Sequence, residues 1–151
     1  MPQPLRLGIA VSQFNPEITM PMLKEAIAHA KKNGAEVKAI IEVPGAYELP
    51  FAAMKLLSRK DIDAAVAIGA VIKGETKHDE AIVFGISRAL ALLQVKCRKP
   101  VGFGILGPSI TWKQAEARKK EHAQRSVEAA IWMASLDEKG KKAGKKRTHK
   151  V

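Results

Sequence analysis

Residues 64–72 read Ala-Ala-Val-Ala-Ile-Gly-Ala-Val-Ile, an unbroken run without a polar side chain. Such a run is what a strand buried on both faces requires, the position of a central strand in a parallel sheet. Three further β-type runs accompany it: Leu5 to Val11, Glu36 to Val43 and Val101 to Leu106. Four helical stretches alternate with them. The first follows an eight-residue loop, Ser12 to Thr19, and reaches about Asn33, with Gly34 as C-cap. The second follows the Pro44-Gly45 turn and carries Pro50 in its first turn, where proline is tolerated. The third opens within Lys73 to Glu80, with Ile82, Ile86, Leu90 and Leu93 at helical spacing. The fourth runs from about Thr111 to Leu136. This βαβαβαβα order with short connections predicts an α/β fold: a three-layer α/β/α sandwich on a four-stranded parallel sheet, with flavodoxin-like as the nearest common layout. Ligands in such sheets sit beyond the carboxyl ends of the strands, where the four unusual loops should gather.

The chain has 151 residues, enough for one domain with a real core and no staples. Its single cysteine, Cys97, has no internal partner, and the four histidines show no zinc spacing, so no metal is expected. No apolar run reaches the ~20 residues of a membrane span, and Met1 to Arg6 offers no signal-peptide core, so a cytoplasmic location is expected. The net charge of +11 is mostly a tail: residues 139–151 hold seven lysines and arginines and no acid. Without them, 19 basic and 15 acidic side chains leave +4 for a domain of residues 1–138. The tail is expected to be a disordered, solvated terminus. A nucleic-acid-binding arm stays open as the alternative, although no aromatic residue interleaves the charges to stack on bases.

Two motif matches fail on physical grounds. Gly102 to Gly107 spells G-x-G-x-x-G, but its first two glycines lie inside an apolar strand pattern instead of a turn after one. Gly69 to Thr76 resembles a P-loop in which Glu75 replaces the lysine, and a carboxylate there would repel phosphates. Its geometry still matters, because a glycine turn opening a helix presents free N–H groups and the positive end of the helix dipole. Gly74 to Thr76 therefore reads either as a seat for one phosphate or as an ordinary helix start capped by Thr76.

His78 follows this turn and is the best acid/base candidate, since an imidazole near pKa 6.5 gives and takes protons at neutral pH. The alternative is a surface histidine. Phe14 and Asn15, in the first strand-end loop, suit a heteroaromatic ring and an amide edge, or simply plug the sheet. Glu48 is placed to accept sugar-type hydroxyls or to favour a helix N-terminus. Arg118 and Arg125 share a helix face, with Glu128 three residues on, giving an anion site or a solvated stripe. His29, His122 and His149 read as surface residues, and Trp112 and Trp132 as packing.

These segments together resemble the lumazine synthase family of riboflavin biosynthesis. The resemblance rests on Ser-Gln-Phe-Asn at 12–15, Val-Pro-Gly-Ala-Tyr-Glu-Leu-Pro at 43–50, Gly-Ala-Val-Ile-Lys-Gly-Glu-Thr-Lys-His at 69–78 and Pro-Val-Gly-Phe-Gly-Ile-Leu at 100–106. Arg118 and the segment 125–130 extend it, and Gly-Glu-Thr-x-His-Asp-Glu looks like the archaeal branch. The resemblance implies condensation of 5-amino-6-(D-ribitylamino)uracil with 3,4-dihydroxy-2-butanone 4-phosphate, giving 6,7-dimethyl-8-ribityllumazine, phosphate and water, without a cofactor. It implies His78 as general acid/base, with Gly74, Glu75, Thr76 and Arg118 on the phosphate. It implies Phe14 stacked on the pyrimidine and Asn15 lining its pocket. Backbone groups of Ala46, Tyr47, Val71 and Ile72 would read the uracil and ribityl chain, with Glu48 on ribityl hydroxyls. Phe103, Arg118 and Arg125 would come from a neighbouring subunit of a pentamer, with a 60-subunit shell as the larger assembly and riboflavin synthase as an associated partner. The rivals are the archaeal-type riboflavin synthase, which releases no phosphate, a non-catalytic flavin- or nucleic-acid-binding shell, and a flavodoxin-like regulator.

Overall fold

The computed structural model describes residues 3–136 and Gly140. The rest of the basic segment, 139–151, lies outside the described residues. Four parallel strands, β1 (Leu5–Ser12), β2 (Ala35–Val43), β3 (Ala64–Ile72) and β4 (Val101–Ile110), form one sheet in the order β2-β1-β3-β4. Helices α1 (Pro16–Lys32), α2 (Leu49–Leu57), α3 (His78–Cys97) and α4 (Trp112–Ala134) follow the strands in turn, and a 3-10 turn at Ala46–Glu48 precedes α2. The result is the flavodoxin-like α/β/α sandwich read from the sequence. No helix among the described residues is long and apolar enough to cross a membrane.

Strand alternation divides the core in two. Leu7, Ile9 and Val11 of β1 and Val66 and Ile68 of β3 point to α1 and α4, where Ile18, Met22 and Val127 pack on them. The other face carries small side chains, Ala10, Ala65 and Ala67, beneath Leu49, Leu56 and Ile86 of α2 and α3. Small residues on that face let α2 approach closely: a Cβ on Gly8 would lie 2.8 Å from Leu56 Cδ2.

Helix α1 starts at Pro16, so the loop expected through Thr19 ends at Asn15. Asn15 takes the left-handed conformation, φ 59°, and its carbonyl accepts the N–H groups of Ile18 and Thr19, closing the first turn early. Gly34 has φ +78° after the helix, as its expected capping role requires. Strand β4 continues four residues past the expected end at Leu106, through a Gly107-Pro108-Ser109 turn, and Ile110 pairs with Ile72. Gly102 and Gly104 lie within β4 and serve packing. A Cβ on Gly102 would stand 2.0 Å from the Ser126 carbonyl oxygen, so only glycine lets α4 seat there.

Candidate active site

The strand order reverses direction between β1 and β3, the crevice where α/β sheets bind ligands. A cavity of about 450 Å³ opens there at the carboxyl ends of the strands. Phe14 and Asn15 enter it from β1, Ala46 and Tyr47 from the turn after β2, and Val71 and Ile72 from the end of β3. Gly74, Thr76 and His78 complete it from the start of α3. Gly45, Ala70, Asp79 and Ile82, none of them a site candidate from the sequence, also line it. Asp79 and Ile82 were legible only as ordinary residues of a helix start.

Local chemistry explains how each part is held. The Asn15 side-chain Nδ2 donates to the Ala70 carbonyl at 2.9 Å, tying the β1 loop to β3 across the crevice. Phe14 and Tyr47 are 69% and 73% exposed, so two rings stand uncovered at the mouth. One Glu48 carboxylate oxygen accepts the Gly45 N–H at 2.9 Å and closes the turn, and Glu48 does not line the cavity. Glu75 lies in the exposed turn beside the cavity wall without lining it. His78 occupies the first position of α3, and its N–H reaches Thr76 Oγ1 at 3.3 Å. The exposed residues Gly74 to His78 thus surround the start of a 20-residue helix whose dipole favours an anion.

Phe103, Arg118 and Arg125 do not reach this cavity. Phe103 stands on edge strand β4, 36% exposed. Arg118 and Arg125 line a separate hollow of about 370 Å³ on α4 with Glu121 and His122. Arg125 pairs with Glu121 at 2.7 Å. Glu128 faces elsewhere, holding His29 Nε2 at 2.6 Å and joining α4 to α1.

Two histidines read as surface residues are therefore structural. His29 sits in the α1–α4 contact. His122 is half-buried, with Nε2 3.0 Å from the Ile105 carbonyl, and burial pushes its pKa down, with Arg125 adding to the effect. His149 lies outside the described residues. Trp112 and Trp132, expected in packing, are 41% and 36% exposed. No group of three or more His, Cys, Asp and Glu side chains that could hold a metal ion occurs among the described residues.

The family model described as 6,7-dimethyl-8-ribityllumazine synthase matches residues 4–138. A protein of that name from Metallosphaera sedula is 51% identical over 130 residues, covering 86% of each chain. One from Staphylothermus marinus is 49% identical over 138 residues, covering 89% of this chain and 92% of its own. One from Saccharolobus solfataricus is 49% identical over 127 residues, covering 84% and 82%.

Proposed function

Since the chain belongs to the 6,7-dimethyl-8-ribityllumazine synthase family, we propose that it is the transferase that makes this lumazine in riboflavin biosynthesis. Its substrates are 5-amino-6-(D-ribitylamino)uracil and 3,4-dihydroxy-2-butanone 4-phosphate. The observation that carries the reading is the meeting of Phe14, the Gly74–Thr76 turn and His78 in one crevice. An aromatic face for a pyrimidine, an anion seat and a proton-transfer group are what this condensation needs within reach of one another.

An amine of the pyrimidine attacks the ketone, and loss of water gives an imine. Loss of the proton on the hydroxyl-bearing carbon expels phosphate by elimination, the enol left behind tautomerises to a new carbonyl, and attack of the second nitrogen on that carbonyl, with loss of water, closes the ring. His78 moves protons at these stages. The turn's N–H groups and the α3 dipole stabilise the phosphate before and during its departure. Holding two substrates side by side supplies much of the rate enhancement.

The phosphate's guanidinium partner comes from a second copy. Arg118 lies outside the protomer's own cavity, and the uncovered Phe14 and Tyr47 suit a mouth closed by a neighbour's Phe103, Arg118 and Arg125. The proposed assembly is a pentamer, with a shell of twelve pentamers as the larger alternative and riboflavin synthase as its candidate partner. The chemistry calls on no metal or organic cofactor.

Replacing His78 by Ala tests the role given to it. Turnover should fall by about 10²- to 10⁴-fold with the assembly intact. An unchanged rate removes His78 from the mechanism.

A further inference from the structure

The geometry points to Asp79 as a positioning residue for His78 and the Gly74–Thr76 turn, acting through the backbone N–H of Ser109. The inference rests on the role given to His78 above. Asp79 is 6% exposed, among the few buried polar side chains of the described chain. Its Oδ2 accepts the Ser109 N–H at 2.8 Å, across 30 residues of sequence. An acid in the first turn of a helix ordinarily serves the dipole from solvent. Asp79 instead turns inward and fastens the helix start to the extension of β4.

That anchor is itself rigid. Ser109 has φ 59° and Gly107 has φ +118°. A Cβ on Gly107 would lie 2.5 Å from the Val71 carbonyl oxygen, so the turn is pressed onto the end of β3. The other end of the phosphate loop is fastened to the same place, because the Lys73 N–H donates to the Ile110 carbonyl at 2.8 Å. Residues 74–78 therefore span two clamps on consecutive residues of β4, Ser109 and Ile110. Within the span the His78 N–H reaches Thr76 Oγ1 only at 3.3 Å, a weak tie. The clamps, more than the loop's own bonds, set where the imidazole and the anion-binding N–H groups stand. Releasing the Asp79 clamp frees the end that bears His78.

The test compares Asp79→Ala, Asp79→Asn and Ser109→Gly in the full-length assembled protein, with kcat and both KM values measured. Asp79→Ala should lower kcat by about 10- to 100-fold, the scale of a misplaced catalytic group. It should raise KM for the butanone phosphate and leave KM for the pyrimidine near the parent value. Asp79→Asn keeps an acceptor oxygen for Ser109 and should recover most of the rate. Ser109→Gly keeps the N–H and suits the positive φ, so it should behave as the parent. A purely structural Asp79 would lower Tm and leave kcat and KM of the assembled enzyme unchanged, which overturns the inference. So does an Asp79→Asn variant as slow as Asp79→Ala, because charge would then matter and the hydrogen bond would not. Should Asp79→Ala fail to assemble, Asp79→Glu shifts the carboxylate by one methylene and carries the same comparison. His78→Ala run alongside separates the two claims: full activity there refutes the role of His78, whereas a slow His78→Ala beside an unimpaired Asp79→Ala refutes this inference alone.

Discussion

The Asn15 side-chain amide donates to the Ala70 carbonyl at 2.9 Å, bridging the β1 loop and β3 at the point where the sheet order reverses. The same residue holds φ 59° and starts α1. Asn15→Gly keeps the backbone conformation and loses the bond, so it should cost about 1 kcal/mol. Asn15→Ala adds left-handed strain of about 1 kcal/mol more. Denaturant unfolding should rank the parent above Gly and Gly above Ala, and both variants should raise KM for the pyrimidine. Equal stability of all three would mean the bridge carries no weight.

The proposed division of the site between two copies has a mixing test. His78→Ala and Arg118→Ala should each be slow as pure assemblies. Co-assembled in equal amounts, chance pairing should make about one quarter of the sites whole, and activity should return to that extent. No recovery would place both residues in the same subunit's site.

Gly102→Ala would push a Cβ to 2.0 Å from the Ser126 carbonyl oxygen. The obstacle is helix backbone, which cannot rotate aside, so the variant should lose about 3 kcal/mol or more through displacement of α4. Calorimetry would read this as a large fall in Tm, and an unchanged Tm would mean that α4 does not seat on β4.

These glycines show how far the chain could be read before folding. Apolar β3 announced a central parallel strand, and Gly102 and Gly104 announced strand by failing to sit in a turn. Their purpose was not legible, because it lies in Ser126, on another element. Asn15 marked a loop, but asparagine only permits the left-handed backbone that starts α1 early and does not dictate it. The crevice assembled residues flagged one by one, since strand-end loops must converge in a parallel sheet. Glu48 was legible as one of two alternatives, and its bond to the Gly45 N–H shows it closing the turn. His29, His122 and Asp79 were missed for one reason: their partners, Glu128, Ile105 and Ser109, are brought close only by tertiary packing.

Acid should weaken the protomer through His122. Burial holds its folded pKa below the ordinary 6.5, with Arg125 adding to the shift and the bond to Ile105 opposing it. The unfolded chain therefore takes up the proton at higher pH than the folded one. The stabilising contribution is complete above the unfolded value and is lost as pH falls below it through the folded pKa. Tm should drop as pH falls from about 7.5 to below the ordinary 6.5, and His122→Gln, which does not titrate, should drop less. Parallel losses in the two proteins would remove His122 from the account.

The most direct test of the central claim follows lumazine absorbance and phosphate release together after the assembled protein meets both substrates. Equimolar lumazine and phosphate, with each substrate required, is the expected result. Silence, or conversion of added lumazine to riboflavin without phosphate release, would contradict the account.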